Sequence, residues 1–244
     1  MTKYQKISDW CILADETDKS MLDHARTRIQ DCRWHDGYVD DIIIPYFLTS
    51  NRRTVIDVGA SYGWMAVSFA KYFDKVKCFE IREDVRHALR ENTSRFSNVE
   101  VFDCGLSDSK KNVKFHYRRN TGASIIRRSR ILEDKNADFP EGDDILGSAI
   151  KVPAGPLVNT LDSYNFNNVD CIKLDIEDHE YYALLGAIET IKKYHPVLIV
   201  EISYTKSRNL RHFKPRQRIF KLLHSLNYQV VDVRARDFIF TYTP

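Results

Sequence analysis

The hydrophobic pattern of the 244-residue chain changes near residue 54. Downstream of that point, short apolar runs alternate with amphipathic stretches, which predicts a largely parallel sheet with helices on both faces. Five of the apolar runs are typical of buried strands: 54–58, 76–79, 99–102, 171–174 and 197–200. Helices are predicted between and after them, over 62–73, 83–94, 179–194 and 215–226.

The two ends of the chain carry other patterns. Apolar residues recur at helix-like spacing over 1–51, which predicts an N-terminal helical cover over the sheet. At the other end, the apolar runs 229–233 and 237–242 are separated by three residues, which predicts an antiparallel hairpin. Residues 52–244 are therefore expected to form one α/β unit with a mostly parallel seven-stranded sheet.

Five parallel strands closed by a C-terminal hairpin are similar to the Rossmann-like sandwich of class I methyltransferases and differ from the dehydrogenase arrangement. The segment from about 118 to 156 shows no clear periodicity and is longer than ordinary connections within a domain. Because long loops of this kind often cover a binding site, we predict a lid-like insertion there.

Composition narrows the setting of the protein. The 37 basic and 34 acidic residues leave a formal charge of only +3, which by itself identifies no partner. Five cysteines without a Cys-x-x-Cys pair argue against a disulfide framework and a zinc cluster. No signal-like or membrane-spanning run is present, so a cytoplasmic protein without a membrane partner is expected.

The first candidate site follows the strand at 54–58. Asp57, Gly59, Ala60 and Gly63 lie in an Asp-x-Gly-x-x-x-Gly turn, and ligands of open α/β sheets bind beyond such strand ends. A dinucleotide fingerprint would instead read Gly-x-Gly-x-x-Gly, and an acid would repel a diphosphate. An ammonium and a sulfonium would be favoured, so the pattern predicts S-adenosylmethionine. The alternative is a plain strand-to-helix turn with a solvated acid.

Acids and small residues at the next two strand ends extend this site. Glu80 lies 23 positions after Asp57, where a carboxylate accepts hydrogen bonds from ribose hydroxyls. Asp103, Cys104 and Leu106 follow the third strand and are predicted to contact the adenine, with Asp103 accepting from its exocyclic amine.

A second acidic cluster spans 173–180, at the end of the fourth strand. Some of its acids are explained by the preference of helix N-termini for negative charge. We hypothesise that His179 is a general base oriented by Asp175 or Glu180, with Asp175 also near the reactive methyl group. In the rival hypothesis, Asp175 and Glu201, together with Glu177 or Glu180, bind Mg²⁺, which would activate the hydroxyl. A surface histidine on the first helical turn is the third possibility.

With these motifs, the sequence resembles the FkbM family of methyltransferases. The resemblance rests on Val55–Ala60, on Thr160-Leu161-Asp162, on Val169–Glu177, and on Leu185-Gly186-Ala187 before Pro196–Glu201. It implies an S-adenosylmethionine-dependent methyltransferase acting on a hydroxyl of a sugar or secondary metabolite. The chain departs from the family pattern at Asp178, where the family usually has glycine.

The residues 114–130 contain no acid and many arginines, which would attract an anionic acceptor. Arg119, Arg127 and Arg128 are the candidate substrate-binding residues, although a solvated basic face explains the pattern equally well. Three functions stay open: an O-methyltransferase acting on a sugar, glycan or related small acceptor, phosphorylated ones included; an RNA ribose 2'-O-methyltransferase; and a non-catalytic module that binds S-adenosylmethionine.

Overall fold

The computed structural model describes the chain over twelve stretches. They are residues 3–9, 11–14, 22, 25–26, 38–47, 51–112, 114–118, 131–132, 149–151, 157–176, 179–202 and 210–244.

A seven-stranded sheet forms the centre of the molecule. Its strands are β1 (Thr54–Val58), β2 (Lys75–Phe79), β3 (Val99–Phe102), β4 (Val169–Leu174), β5 (Val197–Glu201), β6 (Tyr228–Arg234) and β7 (Asp237–Tyr242). They lie side by side in the order β3-β2-β1-β4-β5-β7-β6. The pairs among β1 to β5 are parallel, whereas β7 is antiparallel to both β5 and β6. The predicted mostly parallel sheet with a C-terminal hairpin is confirmed.

Helices follow the strands along the chain. They are α1 (Trp64–Phe69), α2 (Glu83–Thr93), α3 (Glu180–Leu185), α4 (Ile188–Tyr194) and α5 (Leu210–Ser225). The predicted helix over 179–194 is two helices, because the chain turns at Gly186 and Ala187. No helix in the described stretches is both long and apolar enough to cross a membrane.

Both faces of the sheet are covered, which explains the continuous apolar runs of its central strands. All five residues of β1 are buried. Since side chains alternate between the faces of a strand, Ile56 and Ile172 pack into one core cluster while Val55 and Cys171 pack into another. The four described cysteines, Cys11, Cys78, Cys104 and Cys171, are all buried and free of disulfide bonds.

Short strands lie beside this sheet. Gly105–Leu106, Lys111–Asn112 and Leu157–Asn159 form one three-stranded sheet. A second one contains Lys114–Arg118, Ile131–Leu132 and Ala149–Lys151. Most of the segment from 118 to 156 is outside the described residues, so its lid-like role stays a prediction.

The expected helical cover is wrong for the first residues of the chain. Tyr4–Lys6 and Ile12–Ala14 pair as an antiparallel ribbon. The buried Asn92 of α2 holds the ribbon, because its side chain accepts from the N–H of Ile12 at 2.7 Å and donates to the carbonyl of Ile12 at 3.1 Å. Residues 38–47 do form helical turns, as Tyr38–Ile43 and Ile44–Phe47. The division of the chain at residue 51 stays a prediction.

Asp162 joins the short helical turn Asp162–Tyr164 to the start of α4. Its carboxylate accepts hydrogen bonds from the N–H of Glu189 at 3.0 Å, and from the N–H and hydroxyl of Thr190 at 2.8 and 2.7 Å. The N–H of Asp162 donates to the carbonyl of Gly186 at 3.0 Å. An aspartate distant in sequence therefore caps this helix.

Replacing Asp162 by alanine should lower the free energy of unfolding by about 1–2 kcal/mol, the usual cost of losing a capping side chain. Urea denaturation of the purified variant measures this change. Asp74→Ala is the matched control, because Asp74 is exposed and its side chain forms no hydrogen bond with the described residues. Equal loss of stability in the two variants would contradict the capping role.

Candidate active site

An open cleft lies at the carboxyl ends of β1, β2 and β4, with about 660 Å³ of space when the solvent at its mouth is included. Both polar and apolar side chains line it, among them Glu80, Leu106, Asp175 and His179. Four residues singled out from the sequence therefore meet at one place, at the edge of the sheet where ligands of open α/β folds bind.

The turn after β1 forms one wall of the cleft and requires glycine at position 59. Gly59 has a φ of 80°, and a Cβ atom there would lie 2.1 Å from the carbonyl oxygen of Asp175. The N–H groups of Gly59 and Ala60 both donate to the carbonyl of Phe79, at 2.9 and 3.1 Å. The turn is thereby held against the ends of β2 and β4.

The other two small residues of this turn, Ala60 and Gly63, pack against neighbouring parts of the protein. Ala60 packs in the core, and Gly63 precedes α1 with a φ of 84° and faces Leu89. Neither lines the cleft. Their predicted contact with a cofactor stays a prediction, whereas Gly59 does lie in the wall.

Glu80 is fixed at the end of β2 with its side chain in the cleft. Its two carboxylate oxygens accept hydrogen bonds from the N–H groups of Ser61 and Arg82, each at 2.9 Å. Arg86 donates to the carbonyls of Glu80 and Ile81, at 2.9 and 3.2 Å, and so stabilises the same loop. The carboxylate is held in place before any ligand arrives.

Asp57 lies beneath the cleft and not in its wall. The residue is 0% exposed, and Lys173 on the neighbouring strand β4 supplies the compensating charge, with Nζ 3.4 Å from Oδ1. Burial raises the pKa of the Asp57 carboxyl, and Lys173 opposes that shift. Contact between Asp57 and a bound ligand stays a prediction, and in this structure the residue lies below the cleft.

Lys173 is the centre of a buried charge cluster. Its Nζ lies 3.5 Å from Oδ2 of Asp175. Burial alone would lower the pKa of Lys173, but the surrounding carboxylates of Asp57, Asp175, Asp237 and Glu201 raise it above its ordinary value. The lysine is therefore protonated and joins acids at the ends of several strands.

Asp175 and Glu201 belong to the same cluster and are already partnered by cations. Glu201 is buried and forms an ion pair with Arg236 at 2.6 Å. Burial would raise the pKa of Asp175, but Lys173 and a hydrogen bond with Glu201 hold it below its usual value. Within the described ranges, no three acidic, histidine or cysteine side chains group as metal ligands do. The geometry thus does not support the Mg²⁺ site expected at Asp175 and Glu201.

His179 lies in the cleft wall immediately before α3 and is buried. Its Nε2 is 3.0 Å from the hydroxyl of Ser107. Glu180, a predicted orienting residue, instead accepts from the N–H of Ile176 at 2.9 Å. Burial, assisted by the charge of Lys111, lowers the pKa of His179 to about 4. The imidazole is therefore neutral near pH 7, and its hydrogen-bond partner is Ser107.

The three residues predicted to contact adenine are separated by the fold. Leu106 lines the cleft. Asp103 points toward solvent, where it forms ion pairs with Arg86 at 3.3 Å and with Arg90. Cys104 is buried, with its Sγ 3.0 Å from the hydroxyl of Tyr164. Asp103 and Cys104 are therefore not brought to the cleft, because arginines of α2 and the aromatic core engage them.

Some residues predicted from the sequence cannot be placed, and some residues of the site were not predicted. Arg119, Arg127, Arg128, Glu177 and Asp178 are outside the described residues. The sequence reasoning missed Ser107, which touches His179, and Ser61 and Arg82, whose N–H groups fix Glu80. Ser107 directly follows the short strand Gly105–Leu106, as Glu80 directly follows β2, and that position was the available signal.

Comparison with known proteins gives one sequence match and a set of similar folds. The sequence profile described as the methyltransferase FkbM domain matches residues 57–230. No functionally curated protein matches the chain.

Among solved structures, a methyltransferase FkbM from Methylobacillus flagellatus is 16% identical with a TM-score of 0.53, and the match covers 91% of this chain and 53% of that one. The chain thus spans about half the length of that protein. A SAM-dependent methyltransferase from Aquifex aeolicus is 15% identical, with a TM-score of 0.42 and coverage of 85% and 93%. Aeropyrum pernix fibrillarin, with natively bound S-adenosylmethionine, is 9% identical, with a TM-score of 0.38 and coverage of 78% and 66%.

The burial of His179 predicts a pH dependence of stability. Its pKa falls from 6.5 to about 4 on folding, so between those values the unfolded chain binds the proton more readily than the folded one. Folding stability should therefore drop as the pH is lowered through this window. Urea denaturation at a series of pH values should show a shallower drop for His179→Gln than for the unmodified protein. His224→Gln, at an exposed histidine, controls for the loss of any histidine. Parallel curves for the unmodified protein and His179→Gln would contradict the assignment.

Proposed function

The chain belongs to the FkbM methyltransferase family, and from that premise we propose that it transfers the methyl group of S-adenosylmethionine to a hydroxyl oxygen of a sugar, glycan or related polar acceptor. The observation that carries the proposal is the cleft itself. It combines a fixed carboxylate at the end of β2 with several acids grouped around Lys173 at the ends of β1, β4 and β5.

The charge balance under the cleft favours a cationic ligand. Four carboxyl groups, those of Asp57, Asp175, Asp237 and Glu201, act on Lys173, while Arg236 is the other cation of the cluster. Among the described residues of this cluster, the four carboxyl groups outnumber the two cations. The excess would attract the sulfonium and ammonium of S-adenosylmethionine and would disfavour the diphosphate of a dinucleotide.

The nucleoside would lie along the end of β2. Glu80 is placed so that its carboxylate could accept hydrogen bonds from the ribose hydroxyls. Phe79, Val85, Leu106 and Ile176 supply apolar walls of the cleft against which an adenine could pack. This arrangement replaces the predicted adenine contact of Asp103 with packing.

Methyl transfer needs the acceptor oxygen to be held in line with the methyl–sulfur bond, and positioning supplies much of the acceleration. As the new C–O bond forms, the hydroxyl becomes strongly acidic, so even a weak base can take its proton. His179 and Asp175 both line the cleft and are the candidates for holding the hydroxyl. We assign His179 as the base, because Asp175 is already engaged by Lys173 and Glu201.

The acceptor is proposed to be anionic. The basic run over 114–130, with Arg119, Arg127 and Arg128, supports this class on sequence grounds. RNA is the second candidate, because the same run would also bind a phosphate backbone. A cytoplasmic site of action is proposed on the basis of the cysteine content.

The activity is tested by incubating the protein with isotope-labelled S-adenosylmethionine and a cell extract, followed by mass spectrometry of small molecules, glycans and RNA separately. Label in a methyl ether of a sugar or glycan is the expected result. Label in RNA, together with RNA binding that weakens steeply with salt, would favour the alternative. Tight cofactor binding without any labelled product would overturn the enzymatic proposal and indicate a binding module.

The same assay distinguishes the role of a metal. Activity should persist in EDTA, because Lys173 and Arg236 already neutralise the acids of the predicted metal site. Loss of activity in EDTA that Mg²⁺ restores would instead support metal activation of the hydroxyl.

Replacing Glu80 by glutamine should weaken the binding of S-adenosylhomocysteine by about tenfold or more, because an amide offers one acceptor oxygen where the carboxylate offers two. Isothermal titration calorimetry measures the Kd. Glu91→Gln, at an exposed position of α2, makes the same chemical change away from the cleft and should leave the Kd unchanged. Equal affinity of both variants would contradict the ribose contact.

A further inference from the structure

Behind His179 lies a chain of hydrogen bonds that the sequence did not indicate. Asp108 is its outer end, and Oδ1 of this residue accepts from the hydroxyls of Ser107 and Ser109 and from Lys111, at 3.0, 3.2 and 2.9 Å. Burial opposes these bonds, but together they lower the pKa of the Asp108 carboxyl. The group is therefore an anion and acts only as an acceptor.

Ser107 joins this anion to His179. The residue is 0% exposed, and its Oγ lies 3.0 Å from Asp108 Oδ1 and 3.0 Å from His179 Nε2. A hydroxyl has one proton to donate. Since Asp108 takes that proton, the hydroxyl must accept from the imidazole, and Nε2 must carry a hydrogen.

The protonation state of the other imidazole nitrogen, Nδ1, follows by elimination. A neutral histidine carries one N–H, so Nδ1 has a free lone pair. His179 forms no second hydrogen bond with the described residues, and its ring lines the cleft beside Asp175. Tyr182 stacks on the ring at 4.9 Å between centroids and restrains its plane.

We propose that Ser107 and Asp108 are positioning residues that hold His179 as the Nε2–H tautomer, so that the Nδ1 lone pair receives the proton of the acceptor hydroxyl. This inference rests on the proposed methyl transfer. In the reaction, the acceptor oxygen forms a bond to the methyl carbon, the carbon–sulfur bond breaks with its electron pair going to sulfur, and the hydroxyl proton moves to Nδ1. S-adenosylhomocysteine, a methyl ether and a protonated imidazole result, and the imidazolium then loses its proton to water.

The geometry also explains how Asp108, which lies outside the cleft, controls the tautomer of His179. If the Ser107 hydroxyl donated to Nε2, the proton would reside on Nδ1, and the nitrogen left for the acceptor would be a donor. The anionic Asp108 prevents that arrangement by claiming the hydroxyl proton. An acid that fixes the tautomer of a histidine base has the same function in the serine protease triad.

The tautomer is measurable without any acceptor or activity. Long-range ¹H–¹⁵N NMR of protein labelled at histidine separates protonated from bare ring nitrogens, and the His179→Ala spectrum assigns the signal. The unmodified protein with S-adenosylhomocysteine should show a protonated Nε2 and a bare Nδ1 at His179. A protonated Nδ1 with a bare Nε2 would overturn the proposal, whatever the protein methylates.

A set of variants tests the consequence for turnover. Ser107→Ala should lower kcat by at least about tenfold, while the Kd for S-adenosylhomocysteine stays unchanged. Ser225→Ala is the matched control, because it removes an exposed serine hydroxyl that donates to the carbonyl of Leu222 and takes no part in the chain behind His179. Its kcat should match that of the unmodified protein.

A double variant separates positioning from a general structural effect. If Ser107 acts through the imidazole, adding Ser107→Ala to His179→Ala should cost nothing further in kcat. Independent losses that multiply would reject the link between the two residues. Failure of methyl transfer in the unmodified protein, with the expected tautomer present, would instead count against the proposed function alone.

Discussion

The cleft depends on one ion cluster, in which the buried ammonium of Lys173 lies between the carboxylates of Asp57 and Asp175. Lys173 and Asp57 are paired in register on the adjacent parallel strands β4 and β1, so the sheet itself brings the charges together. Isolated buried charges are costly, and removing one partner of such a pair is more costly than never having had it. The cluster therefore fixes the ends of the central strands and leaves an acidic field at the surface where a ligand would bind.

Near this ion cluster, two glycines allow distant segments of the backbone to pack closely against each other. At Gly59 a Cβ atom would lie 2.1 Å from the carbonyl oxygen of Asp175, and at Gly186 one would lie 1.9 Å from the carbonyl oxygen of Ser107. Sequence motifs far apart in the chain meet through these contacts. Asp162 of the Thr-Leu-Asp motif binds the start of α4, and Gly186 of the Leu-Gly-Ala motif packs against the backbone of Ser107. Much of the family signature is thus architecture that supports the cleft.

Patterns of apolar residues were sufficient to predict the sheet, because buried parallel strands and amphipathic helices have distinct periodicities. The N-terminal ribbon was missed, since it is held by a side chain of α2, Asn92, that no local pattern reveals. The acids of the site could be predicted from the sequence, because the carboxyl ends of parallel strands lie at the same edge of the sheet. Ion pairs with residues remote in sequence determine which of these acids line the cleft. Asp57 pairs with Lys173 below the cleft. Asp103 pairs with Arg86 and Arg90 on the solvent side.

An acidic cleft of this kind should accept a positively charged nucleoside and reject one that carries a diphosphate. Calorimetric titration of the same protein preparation with S-adenosylhomocysteine, S-adenosylmethionine and NAD tests it directly. We expect saturable binding of both sulfur nucleosides and no binding of NAD. Uptake of NAD by a protein that ignores both S-adenosyl compounds would contradict it.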